Sequence, residues 1–165
     1  MYKRVLLAYD GSVEGGVALR EGAILARRLA AKVFVLSVAT DAGGVRMAEG
    51  LSGGLIAEQL QRYREVLERG VARLAGLGMD VHAKLTVGEP SRVIGAYARE
   101  IKADLVVVGH HKRGVLERWW SGPTGAYLCD HVACSVLIAR NMITDQAFEA
   151  AMAEAGAAAA AVETV

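Results

Sequence analysis

The sequence predicts an α/β domain built on an open, five-stranded parallel sheet with helices on both faces. Five short runs rich in Val, Leu and Ile recur through the first 140 residues, and between them the apolar spacing changes to the three-to-four period of a helix. The runs are close to continuous in apolar character, as befits strands buried on both faces. Alternation of this kind implies right-handed crossovers, hence parallel neighbours and a sheet covered on each side. Ligands of such sheets bind beyond the carboxyl ends of the strands, where the strand order reverses. The residues after the first and fourth strands therefore matter most.

Residues 4–9 form the first strand, which stops at Asp10, Gly11 and Ser12, a turn and helix N-cap signal. The helix that follows carries a stripe of small residues, Ala18, Gly22, Ala23 and Ala26 among them, so it can sit close to a sheet. Residues 32–39 are a second buried strand. Between Thr40 and Leu55 lie five glycines, read as a mobile surface loop. Ile56, Leu60, Tyr63, Leu67, Val71 and Leu74 mark a long amphipathic helix ending near Gly76 and Gly78. Val81–Val87 alternates, with His82, Lys84 and Thr86 on one side, as an edge strand does. Pro90 and Ser91 open a helix with Ile94, Tyr97 and Ile101 on its inner face. Leu105–Val108 is the fourth strand. A loop over 109–123 and a helix over 124–132 lead to a last strand, Ser135–Ala139.

Composition narrows the function classes. The 165 residues suit one domain with a real core, and 53% apolar content argues against disorder. A net charge of +1 provides no field for DNA or an anionic membrane, so neither is expected as a partner. No apolar run approaches the roughly 18 residues that span a bilayer, and the N-terminus does not read as a signal peptide. Two cysteines, Cys129 and Cys134, make no disulfide framework, and the expected location is the cytoplasm. Residues 141–165 hold Asp145, Glu149, Glu154 and Glu163 without Lys or Arg, a charge of −4 beside +5 in the rest. This Ala-rich stretch has high helix propensity and little to bury beyond Phe148 and Met152. It reads as a partly helical, fraying or disordered tail, or else as a helix that docks on a partner subunit.

Val87-Gly88-Glu89-Pro90-Ser91 before a helix, Ala103-Asp104-Leu105-Val106-Val107-Val108-Gly109, a glycine-containing loop, and His131 through Ile138 follow one another in an order that resembles the C-terminal half of universal stress proteins. Val5 through Ser12 resembles their first strand and turn. The likeness implies a universal stress protein domain over residues 1–140, with 141–165 outside it, and a Rossmann-like sheet of order 3-2-1-4-5. It also implies an ATP-binding loop of the form G-x-x-G-(nine residues)-G-[ST], whose glycines admit backbone N–H groups to phosphate. Gly109 and Gly122 match its first and third glycines. Lys112 stands at the second, and Pro123, which has neither hydroxyl nor N–H, at the hydroxyl position. Thr124 supplies a hydroxyl one residue later and Lys112 a positive charge.

By the same resemblance Asp10 serves the adenine and ribose, against a plain turn or cap role beside Gly11 and Ser12. Ala8, Tyr9, Val38 and Val108 lie at the strand tips around it. The implied cofactor is ATP or another adenine nucleotide, with AMP or cyclic AMP asking less of the altered loop. The alternative is a crevice with no nucleotide, in a scaffold or interaction protein of the same fold. The resemblance further implies a homodimer through Val136–Ile138 and leaves room for an unidentified protein partner.

Other residues read more plainly. His110 and His111 are adjacent, so in an extended segment they point apart and do not share a metal; with Arg113 and Arg118 they read as solvated loop residues. Cys129 and Cys134 lack zinc-type spacing. Trp119 and Trp120 pack under the loop or form a lid or protein contact. The chain has no phosphate loop of the Walker type, no nucleophile elbow and no metalloprotease helix, so it is not expected to be a fast enzyme.

Overall fold

The computed structural model describes residues 1–39, 53–110 and 130–163, with side chains outside that description at 53–56 and 158–163. The elements are β1 (Arg4–Ala8), α1 (Val13–Arg28), β2 (Lys32–Ala39), α2 (Gly53–Gly76), β3 (Val81–Val87), α3 (Pro90–Glu100), β4 (Leu105–Gly109), β5 (Ser135–Ala139) and α4 (Asp145–Glu163). All strand pairs are parallel, and the order is β3-β2-β1-β4-β5. The strand order therefore reverses between β1 and β4, the place where a parallel sheet opens a crevice at its carboxyl end.

Period-two alternation sorts the strand residues to two faces. Val5, Leu7, Val33, Val35, Leu105 and Val107 join one core with α1, α2 and α4. Leu6, Leu36, Val38, Val106 and Val108 join a second core with Ile94 and Tyr97 of α3. The small-residue stripe of α1 acts as its composition predicts. Gly22 lies so close to Leu7 and Val107 that a Cβ there would collide with Leu7 Cδ2.

The amino end of the sheet is tied by one carboxylate. Asp104, just before β4, accepts the Lys3 amide at 2.8 Å and the Arg4 amide at 3.1 Å, and Arg4 Nη1 donates to the Ile101 carbonyl at 2.9 Å. The half-buried Cys134 lies beside it. Burial pushes the Cys134 thiol up, and the Asp104 charge adds to that, so little thiolate forms at neutral pH.

Two regions differ from the sequence-based expectation. α2 begins at Gly53, inside the stretch 40–55 read as loop, because packing of a long amphipathic helix overrides the low helix propensity of its leading glycines. Residues 40–52, which hold the rest of that loop, lie outside the described residues. The second difference is α4. The partly helical tail expected there is a helix from Asp145 onward, and instead of standing free it packs on this chain's own α1. Phe148 is 0% exposed, Met152 1% and Ala155 2%. Alanine and glycine, which read as nothing to bury, allow the close approach: a Cβ at Gly156 would come within 2.7 Å of Arg27 Nη2. Asp145 at the helix start bonds Arg20 Nη2 at 2.6 Å and Arg73 Nη2 at 2.7 Å, and those guanidiniums hold its carboxyl below the ordinary range. Arg73 also lies over the Phe148 ring, 5.2 Å from its centre.

Candidate functional site

The crevice is built where β1 and β4 end side by side. Ala8 pairs with Leu36 in the β1–β2 ladder, and Leu7 pairs with Val107 across β1–β4. Ala8 and Val108 therefore lie one residue beyond the last registered pair, on the α3 face. Val38, two residues past Leu36 on β2, lies on that face too. Val38 is 8% exposed and Val108 2%, so the crevice floor is apolar and firmly packed.

Tyr9 belongs to the other face. Its amide donates to the Leu36 carbonyl at 2.9 Å, carrying the ladder one residue past β1. Its carbonyl accepts the buried Ser37 hydroxyl at 2.5 Å, which locks the tips of β1 and β2 together. The ring lies against Gly70 of α2, where a Cβ would stand 2.7 Å from Cε1. The Tyr9 ring thus packs on the α2 side of the sheet.

The chain next turns through Gly11, whose φ is +79° and whose Cα faces Val66. Any side chain there would be strained and would meet the valine methyl at 2.7 Å. This turn leaves Asp10 exposed at the mouth of the crevice. Asp10 Oδ1 accepts the Ser12 hydroxyl at 2.5 Å and the Ser12 amide at 3.0 Å, and Ser12 Oγ accepts the Gly15 amide at 2.9 Å. Ser12 is therefore the N-cap of α1, and Asp10 supports the cap. The turn and cap reading of Asp10 is met by Oδ1, and the carboxylate stays exposed beyond the end of β1.

Gly109 closes the site from β4. A Cβ on it would run into the Glu14 carbonyl and come within 3.0 Å of the Gly15 amide nitrogen, so the end of β4 passes directly beneath the first turn of α1. His110 follows, half-exposed, with its amide on the Ala139 carbonyl at 3.2 Å. Glu89 stands at the N-cap of α3, the next helix along. Burial pushes its carboxyl up, but the Ser91 hydroxyl at 2.6 Å, the Arg92 and Ser91 amides and the Arg92 charge outweigh that and hold it below the ordinary range.

The structure thus brings together Ala8, Asp10, Val38, Val108 and Gly109 and turns the Tyr9 ring away. Lys112, Gly122, Pro123 and Thr124 lie outside the described residues, as do His111, Arg113, Arg118, Trp119, Trp120 and Cys129; of the helix expected over 124–132, residues 130–132 are described, with 130–131 helical and Val132 already outside the helix. The sequence alone left Ser37 and Gly15 unremarked, and named Glu89 without its capping role. Ser37 carried a signal, as the only hydroxyl in an apolar strand. Among the described residues no group of His, Cys, Asp or Glu is arranged to hold a metal, and no helix is long and apolar enough to cross a membrane.

Comparison with known proteins places this geometry in a family. A family model described as "Universal stress protein family" matches residues 1–140. A putative universal stress protein of Staphylococcus aureus (strain USA300) is 32% identical over 143 residues, covering 84% of each chain. Among solved structures, a universal stress protein in complex with cAMP superposes with a TM-score of 0.63 at 21% identity, covering 84% of this chain and 97% of that one. A universal stress protein family protein from Arabidopsis thaliana with AMP bound has a TM-score of 0.59 at 20% identity, covering 84% and 92%. These two likenesses establish the shared fold.

Proposed function

The chain belongs to the universal stress protein family, and on that premise we propose that it is a cytoplasmic, homodimeric stress-response or signalling protein that binds an adenine nucleotide and acts by occupancy rather than by turnover. The observation that carries this reading is the convergence of the exposed Asp10 carboxylate with an apolar floor of Ala8, Val38 and Val108 at the point where the strand order reverses. A base fits an apolar slot, and an acceptor-only carboxylate at its mouth suits the hydroxyls and amine of a nucleoside. The ligand preference follows from the loop sequence. Lys112 and Pro123 replace a glycine and a hydroxyl residue of the triphosphate cradle, so ligands with fewer phosphates are favoured. The cAMP and AMP held by two proteins of this fold support that preference.

The test is a thermal-shift panel of ATP, ADP, AMP, cAMP and GTP, repeated with Asp10→Ala. AMP or cAMP is expected to raise Tm at least as much as ATP, and Asp10→Ala to abolish the shift. ATP far ahead of AMP would reverse the ligand preference. No shift with any nucleotide would favour a scaffold without nucleotide, the reading that Lys112 and Pro123 also allow.

The dimer half of the proposal rests on β5, an edge strand whose Ile138 is 39% exposed. An apolar edge of this kind calls for cover. Leu137 packs against the chain's own core, so Ile138 is the cleaner probe. Light scattering is expected to give twice the 17.4 kDa chain mass, and Ile138→Glu to give the monomer. A wild-type monomer at micromolar concentration ends the dimer proposal.

A further inference from the structure

The hydrogen bonds around Asp10 single out a neighbour that does not itself face the crevice. We propose that Ser12 is a positioning residue for nucleoside recognition: its hydroxyl fixes the Asp10 carboxylate so that one oxygen is committed to the turn and the other is presented to the ligand. The inference rests on the nucleotide reading above and assigns to Ser12 a role beyond capping.

The Ser12 hydroxyl donates to Asp10 Oδ1 at 2.5 Å and accepts the Gly15 amide at 2.9 Å, so its proton has one direction. The Ser12 amide gives Oδ1 a second bond at 3.0 Å. Among the described residues Oδ2 accepts none. The carboxylate is seated on Gly15, so closely that a Cβ on that residue would collide with Oδ1. Two bonds and a steric seat thus set the rotation of a side chain that solvent would otherwise leave free. Preorganisation of this sort lowers the ordering cost of binding.

The chemistry of Oδ2 decides what it reads. A carboxylate oxygen only accepts hydrogen bonds and repels phosphate, so its ligand groups are the ribose hydroxyls or the base amine. The first turn of α1 also bears on Gly109 through the Glu14 backbone, which places the seated carboxylate and the end of β4 in one rigid unit.

The experiment is calorimetric titration of the full chain with adenosine and with AMP, for wild type, Ser12→Ala, Ser12→Thr and Gly15→Ala. Tm and far-UV circular dichroism are recorded for each variant. Losing one hydrogen bond to a charged group corresponds to about tenfold in affinity. Ser12→Ala is expected to weaken adenosine and AMP by that same factor, and Ser12→Thr to restore most of it. Gly15→Ala keeps the capping hydroxyl but pushes the carboxylate off its seat, so it is expected to weaken both ligands while α1 stays helical. If Ser12 were only a cap, Ser12→Ala would lower Tm and leave the affinity for adenosine unchanged well below Tm. That result, or a loss confined to AMP, overturns the inference alone. A wild type that binds neither ligand overturns the nucleotide reading and this inference with it.

Discussion

The two ends of the sheet each place an aspartate beside β1, and they use it in opposite ways. At the amino end both oxygens of Asp104 are engaged by the Lys3 and Arg4 amides, and Arg4 reaches on to the Ile101 carbonyl. At the carboxyl end Asp10 commits Oδ1 to Ser12 and remains exposed. The first arrangement joins chain segments that are distant in sequence. The second fixes a local turn and leaves charge facing outward. A parallel sheet divides its labour in this manner because its turns into helices gather at the carboxyl end, where binding groups can be changed without cutting a strand.

The largest effect is expected where the crevice end is also structural. Gly109→Ala forces a Cβ into the Glu14 backbone, and overpacking against backbone costs about 1–3 kcal/mol or more. Urea unfolding measures it, and a variant as stable as wild type would mean that β4 does not pass under α1. Next come the two aspartates, which test the comparison directly. Asp104→Ala leaves two amides without their carboxylate and should cost about 1.5–3 kcal/mol. Asp10→Ala, at an exposed turn, should cost less than about 1 kcal/mol while removing nucleotide stabilisation. Equal costs at the two ends would erase the distinction.

The smallest effect concerns pH. Glu89 and Asp145 both titrate below their ordinary ranges in the folded chain. A depressed carboxylate contributes stability that is present above its unfolded pKa and is lost as pH falls through the folded value. Wild-type stability should therefore decline below about pH 4. Glu89→Ala should cost about 1 kcal/mol at neutral pH, as a lost cap does, and make the acid slope shallower. A slope unchanged in that variant would assign the acid sensitivity elsewhere.

Much of this architecture is legible in the residues. Apolar runs locate the five strands, and the small stripe of α1 anticipates the contact of Gly22 with Leu7 and Val107. Pro90 at the start of α3 marks that helix, while its Glu89 cap, outside the usual short capping side chains, gives no such sign. The site is legible as a place and less so as a mechanism. The positions of Asp10, Ala8, Val38 and Val108 at strand ends follow from the apolar runs, and their assignment to a nucleotide from the family resemblance, whereas the steric reason for Gly109 lies in the Glu14 backbone, far away in sequence. Tyr9 follows period two to the opposite face, so membership of a strand tip did not by itself give its ring to the crevice. α4 was hidden for a different reason. A run of alanines looks the same whether the helix is solvated or pressed against a neighbour, and only Phe148 and Met152 hint at a buried side.

The burial of Phe148 sets a schedule for biosynthesis. The Phe148 side chain, which shares one core with residues of α1 and α2, comes from α4, after β1 through β5 have been made. A nascent chain on the ribosome can therefore pair β1 through β5 and still present an open apolar flank until α4 emerges. A product released early, by a premature stop or by a protease cutting in the exposed stretch from Arg140 to Met142, would carry the whole crevice together with a sticky scar. Such a fragment would leave bare the apolar surface of α1 that Phe148, Met152 and Ala155 cover in the full fold.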